Sequence, residues 1–213
     1  MIVNENEKFS IVISEISSKI PDDGLTLGEL LGIIGEQGIY MSCMILTAPF
    51  LLPVSIPGLS IPFGSAIFLI SSDVIINKPV LIPKHLLNYK LSKRNMNLIL
   101  NEISRILTPL EERIINPRLL ILTSDGLMYH INGIAVAFGA ILLVTPIIAP
   151  LGDFLPSYGI LFISLGNLEK DGYLVLVGYI TIIATTIYYI LIFALGISLI
   201  LYILSHLGLH FLI

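Results

Sequence analysis

The sequence predicts an all-α integral membrane protein. Of its 213 residues, 55% are hydrophobic and only 12% are charged, and the mean hydropathy is +0.95. Because soluble domains carry about 25% charged residues, this chain has too few ionisable side chains to cover a water-facing surface of its size. Long apolar runs separated by proline-rich breaks complete the pattern. We expect two proline-broken helical hairpins that form an internal repeat, an amphipathic connector helix and one long C-terminal transmembrane helix.

Changes in composition along the chain indicate its organisation. Residues 1–24 are polar and form an N-terminal arm, whereas residues 25–213 form a single membrane domain. That domain divides into four consecutive parts, which are repeat 1 (about 26–83), a basic amphipathic connector (84–118), repeat 2 (about 119–172) and a C-terminal span (173–204).

A capping-box pattern opens the first repeat. Thr26 is followed three residues later by Glu29, and leucines at helical spacing come next. In such a box the two residues satisfy each other's free backbone N–H groups. The pattern predicts a short amphipathic helix over Thr26–Gln37, which either lies along the membrane interface or packs beneath the spans.

Each arm of the first hairpin is short for a membrane span. The apolar runs 39–53 and 61–76 reach about 22 Å each at 1.5 Å per residue, against roughly 30 Å of hydrocarbon. Between them lies the stretch "VSIPGLS". We expect a hairpin that enters the bilayer and bends there, and both a re-entrant and a fully spanning hairpin fit these lengths.

The connector carries most of the positive charge. Residues 77–118 hold eight of the eleven Lys and Arg residues, so the positive-inside rule places this segment in the cytoplasm. Apolar residues between Leu98 and Ile114 recur at three- and four-residue spacing, which predicts an amphipathic helix of about five turns. Because glutamates interrupt the basic residues, we do not expect the connector to bind nucleic acid.

The two proline-rich regions correspond to each other at an offset of about 94 residues. With one gap at the bend, Phe68 aligns with Phe162 and Asp73 with Asn167. The matching prolines are Pro53, Pro57 and Pro62 in the first region and Pro146, Pro150 and Pro156 in the second. The correspondence predicts an internal, inverted repeat with re-entrant hairpins, although chance similarity between proline-rich segments is an alternative. Paired broken segments are typical of transporter sites near the middle of the bilayer.

Proline breaks have a chemical consequence in a membrane. A proline lacks an N–H and frees a carbonyl that hydrocarbon cannot satisfy. The break is therefore tolerated only where protein or a water-filled cavity surrounds it. The alternative is a simple kink that lets helices pack closely beside small residues such as Gly58. Because a kink needs one proline rather than three, the pattern favours an elbow in each half. The first elbow is Pro53–Pro62 and the second is Pro146–Pro156.

Few polar side chains lie in the apolar regions, and these are the candidate substrate- or ion-binding residues. Asp153 lies in the second elbow, where it could carry a proton, bind a cation or cap the following helix. Asp73 is a weaker candidate, since Lys78 lies near it and it could serve as an interfacial anchor. The remaining candidates are the hydroxyls and one amide near the breaks, Ser55, Ser60, Ser157 and Asn167.

No catalytic or metal-binding pattern is present in the sequence. It has no phosphate-binding glycine loop, no Gly-x-Ser-x-Gly elbow and no His-Glu-x-x-His helix. The single cysteine, Cys43, lies in an apolar run and is expected to be a buried small side chain. We therefore predict that the protein is not an enzyme and that it holds neither a cofactor nor a metal.

Three stretches resemble the ExoD family of bacterial membrane proteins, which are linked to exopolysaccharide synthesis. They are "DGLTLGELLGIIGEQG", "APFLLPVSIPGLSIPFG" and "LPSYGILFISLGNLEKDGYLVLVG", and the resemblance covers about residues 24–204. The positions that match the family pattern are Thr26, Gly28, Glu29, Pro49, Pro53, Pro57, Gly58, Asp171 and Gly172. Gln37 and Asp153 depart from it, so Asp153 is not expected to be a family-wide functional residue.

The resemblance implies a location in the inner membrane and a role in polysaccharide export, or in moving a lipid carrier, small solute or ion on which export depends. A chain with about five apolar arms encloses little space alone, so we expect a homodimer in contact with membrane lipids and with export machinery. A non-transporting accessory protein of a synthesis complex is the main alternative. A lipid-modifying membrane enzyme is a third.

Overall fold

The protein is described by a computed structural model that covers residues 21, 24–34, 38–51, 59–76, 82–94, 96–97, 101, 105, 118–146 and 151–206. Helices dominate these ranges. The elements are β1 (Leu25–Thr26), α1 (Leu27–Ile34), α2 (Ile39–Thr47) with a 3₁₀ turn at Ala48–Phe50, α3 (Ser60–Ile76), α4 (Lys84–Leu87), β2 (Lys90–Leu91), a 3₁₀ turn at Leu120–Thr123, α5 (Leu127–Val144), α6 (Phe154–Leu168) and α7 (Gly172–His206). The predicted arm over 1–24 and the predicted connector helix over 98–114 lie almost entirely outside the described residues.

The capping box forms at the start of α1. The backbone N–H of Thr26 donates to Glu29 Oε2 at 2.7 Å, and the N–H of Glu29 donates to Thr26 Oγ1 at 3.2 Å. Leu27 and Leu30 on the following turn are buried, so α1 packs its apolar face into the protein. The structure adds a contact that the sequence did not predict, because β1 pairs antiparallel with β2 of the connector, Leu25 opposite Leu91.

Four helices form the centre of the fold, in the order α2, α3, α5 and α6 around a ring. Close packing between α3 and α5 depends on glycines. A side chain at Gly64 of α3 would meet Val144 of α5 at 2.5 Å, and one at Gly133 of α5 would meet Val74 of α3 at 2.7 Å. The start of α3 therefore lies beside the end of α5, and the two helices are antiparallel.

This contact fixes the relative direction of the two hairpins. The first elbow precedes α3 and the second follows α5, so both elbows lie at the same end of the helix ring. The hairpins consequently run in the same direction, whereas the sequence comparison led us to expect an inverted pair. The reason is that an offset between similar segments says nothing about how the connector places the second segment.

Helix bounds nevertheless keep the spacing seen in the sequence. Helix α6 begins 94 residues after α3, and α5 ends 94 residues after the 3₁₀ turn that completes α2. Pro62 and Pro156 are each the third residue of their helix. A proline is tolerated there because the first N–H groups of a helix have no partner within it.

Helix α7 is the predicted long C-terminal helix, found at Gly172–His206 rather than 173–204. It runs antiparallel to α6 and approaches it closely where Gly178 faces Gly159. Helices α5 and α7 are the two described helices long and apolar enough to cross a membrane, over Leu127–Val144 and Gly172–Gly196. Helices α2, α3 and α6 are shorter apolar helices.

The turn between α6 and α7 explains why the sequence has Asp171 followed by Gly172. The N–H of Asp171 donates to Gly166 O at 2.8 Å across a left-handed Lys170, which ends α6, and Asp171 Oδ1 accepts from the N–H of Tyr173 at 2.9 Å. Any side chain at Gly172 would meet the carbonyl oxygen of Leu119 at 2.1 Å. Only glycine lets the chain before α5 pack there.

Tyr189 of α7 supplies a hydrogen bond that a proline of the second elbow removes. In a continuous helix the N–H groups of residues 146 and 156 would donate to the carbonyls of residues 142 and 152, but both donors are prolines. The buried Tyr189 hydroxyl lies 3.2 Å from Leu142 O and 2.5 Å from Gly152 O. Leu142 O also accepts from the backbone N–H of Thr145 at 3.2 Å, so the shorter bond from Tyr189 to Gly152 O is the one that replaces a donor lost to proline.

We expect Tyr189→Phe to destabilise the protein by about 1–3 kcal/mol, because it leaves the buried Gly152 carbonyl without this donor. The measurement is the thermal midpoint of the detergent-solubilised chain, with Tyr173→Phe at the exposed start of α7 as the matched control. The control should change the midpoint little. An unchanged midpoint for Tyr189→Phe would show that water or another group satisfies the elbow carbonyls.

Candidate functional site

The candidate site is a groove beside the two elbows. It has a volume of about 900 Å³ and lies between the first half of α3, the end of α5 and residues 83–89 of the connector. Its lining includes Pro62 from the first elbow and Pro146 from the second. The groove is therefore the place where the described ends of both proline-rich regions meet.

Close packing beneath the groove holds its walls in place. Phe63, which follows Pro62, is buried and contacts Phe50 and Tyr89 with ring centroids 6.1 and 6.2 Å apart in edge-to-face geometry. The backbone N–H of Leu27 donates to Tyr89 O at 2.8 Å. Through these contacts α1 and the connector are joined to the start of α3, so that connector residues become one wall of the groove.

Most of the lining is apolar, and a few polar groups interrupt it. Ile61, Phe68 and Ile141 line the groove and are also exposed at the surface of the chain. The polar lining residues are Ser65, His85, Tyr89 and Thr145. Of these, Thr145 donates its hydroxyl proton to Ile141 O at 2.8 Å, in the manner of hydroxyls in apolar helices. Such a surface suits an amphiphilic ligand better than a bare ion.

Asp153 lies at the second elbow but does not line the groove. It precedes α6 at the N-cap position, yet no side-chain hydrogen bond caps the helix there, so the capping alternative fails. Its backbone carbonyl accepts from Ser157 Oγ at 2.6 Å. The carboxyl group is half-buried.

The structure separates the other predicted site residues into two groups. Ser60, the first residue of α3, and Ser157 in α6 lie at the elbow end. Asp73 and Asn167 lie near the far ends of α3 and α6. Ser55 and the elbow residues Pro53, Pro57, Gly58 and Pro150 lie outside the described residues. The six candidate residues therefore do not form one site, although Ser60, Ser157 and Asp153 share the end of the ring where the groove lies.

A buried polar cluster occupies the opposite end. Asn132 of α5 donates through Nδ2 to Asn167 Oδ1 at 2.8 Å and to Leu122 O at 2.8 Å, and it accepts from the hydroxyl of Tyr179. Asn167 in turn donates to Ile163 O at 2.8 Å. Each amide thus finds partners within the protein, which indicates that the cluster joins α5, α6 and α7 rather than binding a ligand.

Sequence reasoning missed the polar groove residues and Asn132. Asn132 carried a usable signal, since an amide inside an apolar helix must find a partner. The groove residues Ser65, His85 and Tyr89 carried none, because only the folded connector places them beside α3. Among the described residues, no group of three or more His, Cys, Asp or Glu side chains is arranged to hold a metal ion.

We expect Asp153→Asn to raise the thermal midpoint at pH 7. A half-buried carboxylate has lost part of its water, and its charged form is costly in apolar surroundings, whereas a neutral amide avoids this cost. The cost disappears at a pH low enough to protonate the carboxylate, whose ordinary pKa is about 3.9. The gain from asparagine should therefore vanish near pH 3. The control is Asp125→Asn, whose carboxylate is 94% exposed and lies 3.4 Å from Lys170 Nζ. A lower midpoint for Asp153→Asn at pH 7 would reveal a stabilising partner for the carboxylate.

Comparison with known proteins gives a consistent result. The family profile described as "Exopolysaccharide synthesis, ExoD" matches residues 9–201. Protein ExoD of Rhizobium meliloti (strain 1021) is 37% identical over 187 residues, which cover 87% of this chain and 78% of that protein. No solved structure matches the chain. The family profile spans the capping box, both hairpins and the Asp171–Gly172 turn, and the chain belongs to the ExoD family.

Proposed function

We propose that this protein is a multi-pass inner-membrane protein of exopolysaccharide synthesis that acts as a transporter-like carrier rather than as an enzyme. The observation that carries the proposal is the groove of about 900 Å³ that Pro62 and Pro146 both line. Paired helix breaks beside one cavity are the arrangement by which transporters bind substrates within the bilayer. The mostly apolar lining favours a lipid carrier over a small ion or a free sugar.

The position of the elbows along α7 supports a site within the bilayer. Tyr189 is level with the second elbow, and α7 continues to His206, about 25 Å farther at 1.5 Å per residue. Ile190, Leu191, Phe193 and Leu195 beyond this level are more than half exposed on the chain. If the elbow lay at the membrane surface, these side chains would face water at roughly 1.5–3 kcal/mol each. These exposed apolar side chains support a hydrocarbon core that extends past the elbow, and on this ground we propose re-entrant hairpins.

A parallel repeat, in place of the inverted repeat expected from the sequence, also fits the transporter proposal. Matching helix bounds at a spacing of 94 residues support a duplication of the hairpin. Because both elbows lie at the same end, the two copies would be related by an axis along the helices. Such parallel repeats occur in membrane carriers, as inverted ones do.

An accessory role is the second candidate, and a specific observation favours it. The amides of Asn132 and Asn167 are hydrogen-bonded within the protein, so this cluster provides no polar path for a solute between α5, α6 and α7. A protein that presents or holds a lipid-linked intermediate for a synthase would need the groove but no path. We further propose that the protein forms a homodimer, contacts membrane lipids and export machinery, and has its basic connector on the cytoplasmic side, from which residues 83–89 reach the groove.

Cysteine labelling tests the depth of the elbow. In a Cys43→Ala background, we expect Leu151→Cys at the second elbow to react with a small membrane-permeant maleimide but only slowly with a charged impermeant one from either side. The reason is that the exposed Leu151 side chain would face the bilayer interior. The matched control is Asp125→Cys at the opposite end, which should react quickly with the impermeant reagent from one side.

Fast impermeant labelling of Leu151→Cys from the side opposite to Asp125→Cys would contradict this expectation. It would mean that the hairpin crosses the membrane completely and that the elbow emerges in water.

Reconstitution into liposomes tests transport itself. We expect the purified protein to accelerate the movement of a fluorescent lipid phosphate across the bilayer, and to do so more than it moves protons, sodium ions or a monosaccharide. Ser65→Leu should slow this movement about tenfold or more, because the larger side chain fills the groove that Ser65 lines. Ser198→Leu, on the exposed part of α7, is the control. Absence of any movement, together with normal assembly with polysaccharide-synthesis proteins, would reject transport and favour the accessory role.

A further inference from the structure

We propose that the elbow groove binds a lipid monophosphate, with the apolar chain along α3 and α5 and the phosphate against the connector. This inference deepens the proposed function, on which it rests, by naming the class of ligand. It is argued from three properties of the groove, namely its apolar walls, the charge of one wall and the hydroxyl groups near that wall.

The apolar walls suit a lipid chain. Ile61 and Phe68 of α3 and Ile141 of α5 line the groove while remaining exposed on the surface of the described chain. Because these side chains both line the groove and reach the outer surface, the groove is open at its side. The apolar chain of a lipid could therefore enter it from the surrounding bilayer. A volume of about 900 Å³ lies near the upper end of the range of roughly 300–1,000 Å³ for small-molecule sites.

The third wall is basic and has no acidic residue. Residues 82–94 read "IPKHLLNYKLSKR", which contains four Lys or Arg, one His and no Asp or Glu. Within this segment Pro83, His85, Leu86 and Tyr89 line the groove, and Lys84 lies between two of them in sequence. None of the lining residues found in the described part of the chain is acidic. Among the described lining residues His85 is the one basic residue type, and the Lys and Arg side chains of the segment lie outside the lining. The positive charge that complements an anionic head group therefore comes from the segment that carries the wall.

The charge of this segment favours a monophosphate over the phosphodiester of a bilayer phospholipid. Lys84 and Arg94 are exposed and form no ion pair with the described residues, so the segment offers more than one uncompensated positive charge. A phosphate monoester carries about −1.5 to −2 charges at neutral pH, whereas a diester carries a single charge. Drawing a phosphate below the membrane surface is costly unless cations accompany it, and this wall would provide them.

Hydroxyl groups near the basic wall complete the site. Ser65 and Tyr89 line the groove, and neither hydroxyl makes a hydrogen bond to the described residues. Hydrogen bonds from hydroxyl and ammonium groups to a phosphate oxygen are charge-assisted and stronger than neutral ones. Ser65 on α3 and Tyr89 on the connector belong to different walls, so a phosphate between them would hold the two walls together.

The test measures binding to the full chain in detergent by native mass spectrometry, with farnesyl monophosphate as the ligand. Farnesol, which has the same chain without the phosphate, and dioleoylphosphatidylglycerol, a phosphodiester lipid, are the comparison ligands. We expect farnesyl monophosphate to bind at least about tenfold more tightly than either, since a charge-assisted contact of this kind contributes a factor of that size.

Two variants assign the binding to the groove. Ser65→Leu should weaken binding of farnesyl monophosphate at least tenfold by filling the cavity. Lys84→Gln, at an exposed position where folding should be unaffected, should weaken farnesyl monophosphate but leave farnesol unchanged. The matched controls are Ser198→Leu on α7 and Lys170→Gln at the opposite end of the ring, and both should bind as the natural sequence does.

Each alternative occupant gives a distinct result that overturns the inference. Equal or tighter binding of dioleoylphosphatidylglycerol would make the groove a phospholipid site. No binding of the three amphiphiles would mean that a segment of the chain itself fills the groove. Binding that Ser65→Leu and Lys84→Gln leave unchanged would place the ligand elsewhere. Binding of farnesyl monophosphate without its movement across liposomes would support this inference and reject transport. Movement that Ser65→Leu and Lys84→Gln do not slow would support transport and reject the groove as the binding site.

Discussion

The need to satisfy backbone carbonyls at the proline breaks is the constraint on which the rest of the structure depends. Pro146 and Pro156 remove the donors that a continuous helix would offer to the carbonyls of residues 142 and 152. The N–H of Thr145 donates to the first carbonyl instead, and Tyr189 supplies the donor for the second. In apolar surroundings an unsatisfied carbonyl costs several kcal/mol. Helix α7 must therefore pass directly behind the second elbow, which fixes its contact with α6 and its depth relative to the hairpins.

Close helix packing follows from the same constraint. Helix α7 can reach the elbow only if it approaches α6 tightly, and the facing pair Gly159 and Gly178 permits this. Gly64 gives α5 a similar approach to α3 near the first elbow. The breaks are thus enclosed by protein on one side, while the groove beside Pro62 and Pro146 stays open on the other. A rigid, enclosed break next to an open apolar groove is a suitable arrangement for holding a membrane-embedded ligand.

Several elements could be predicted from sequence because their causes are local. The capping box of Thr26 and Glu29 forms as its three-residue spacing indicates, and the uncharged run after Gly172 forms one long helix. The prolines at 62 and 156 lie in first turns, as their chemistry requires. Asp153 was found as a half-buried carboxyl at the elbow, but its role as a cap was excluded and it does not line the groove. The groove itself was not predictable, because one wall comes from a connector whose position depends on the pairing of Leu25 with Leu91.

The sequence by itself determined the composition of a membrane protein, the helical segments, the places where prolines interrupt them and the membership of the ExoD family. These properties follow from hydropathy, from short-range hydrogen bonding and from residue patterns that need no knowledge of distant contacts. Only the tertiary structure decided that both hairpins point the same way, that Tyr189 satisfies the second elbow and that the connector closes the groove. Each of these depends on contacts between residues about 35 or more positions apart, such as Tyr189 with Gly152 and Gly64 with Val144. Local preferences do not determine which of the many possible partners such residues meet.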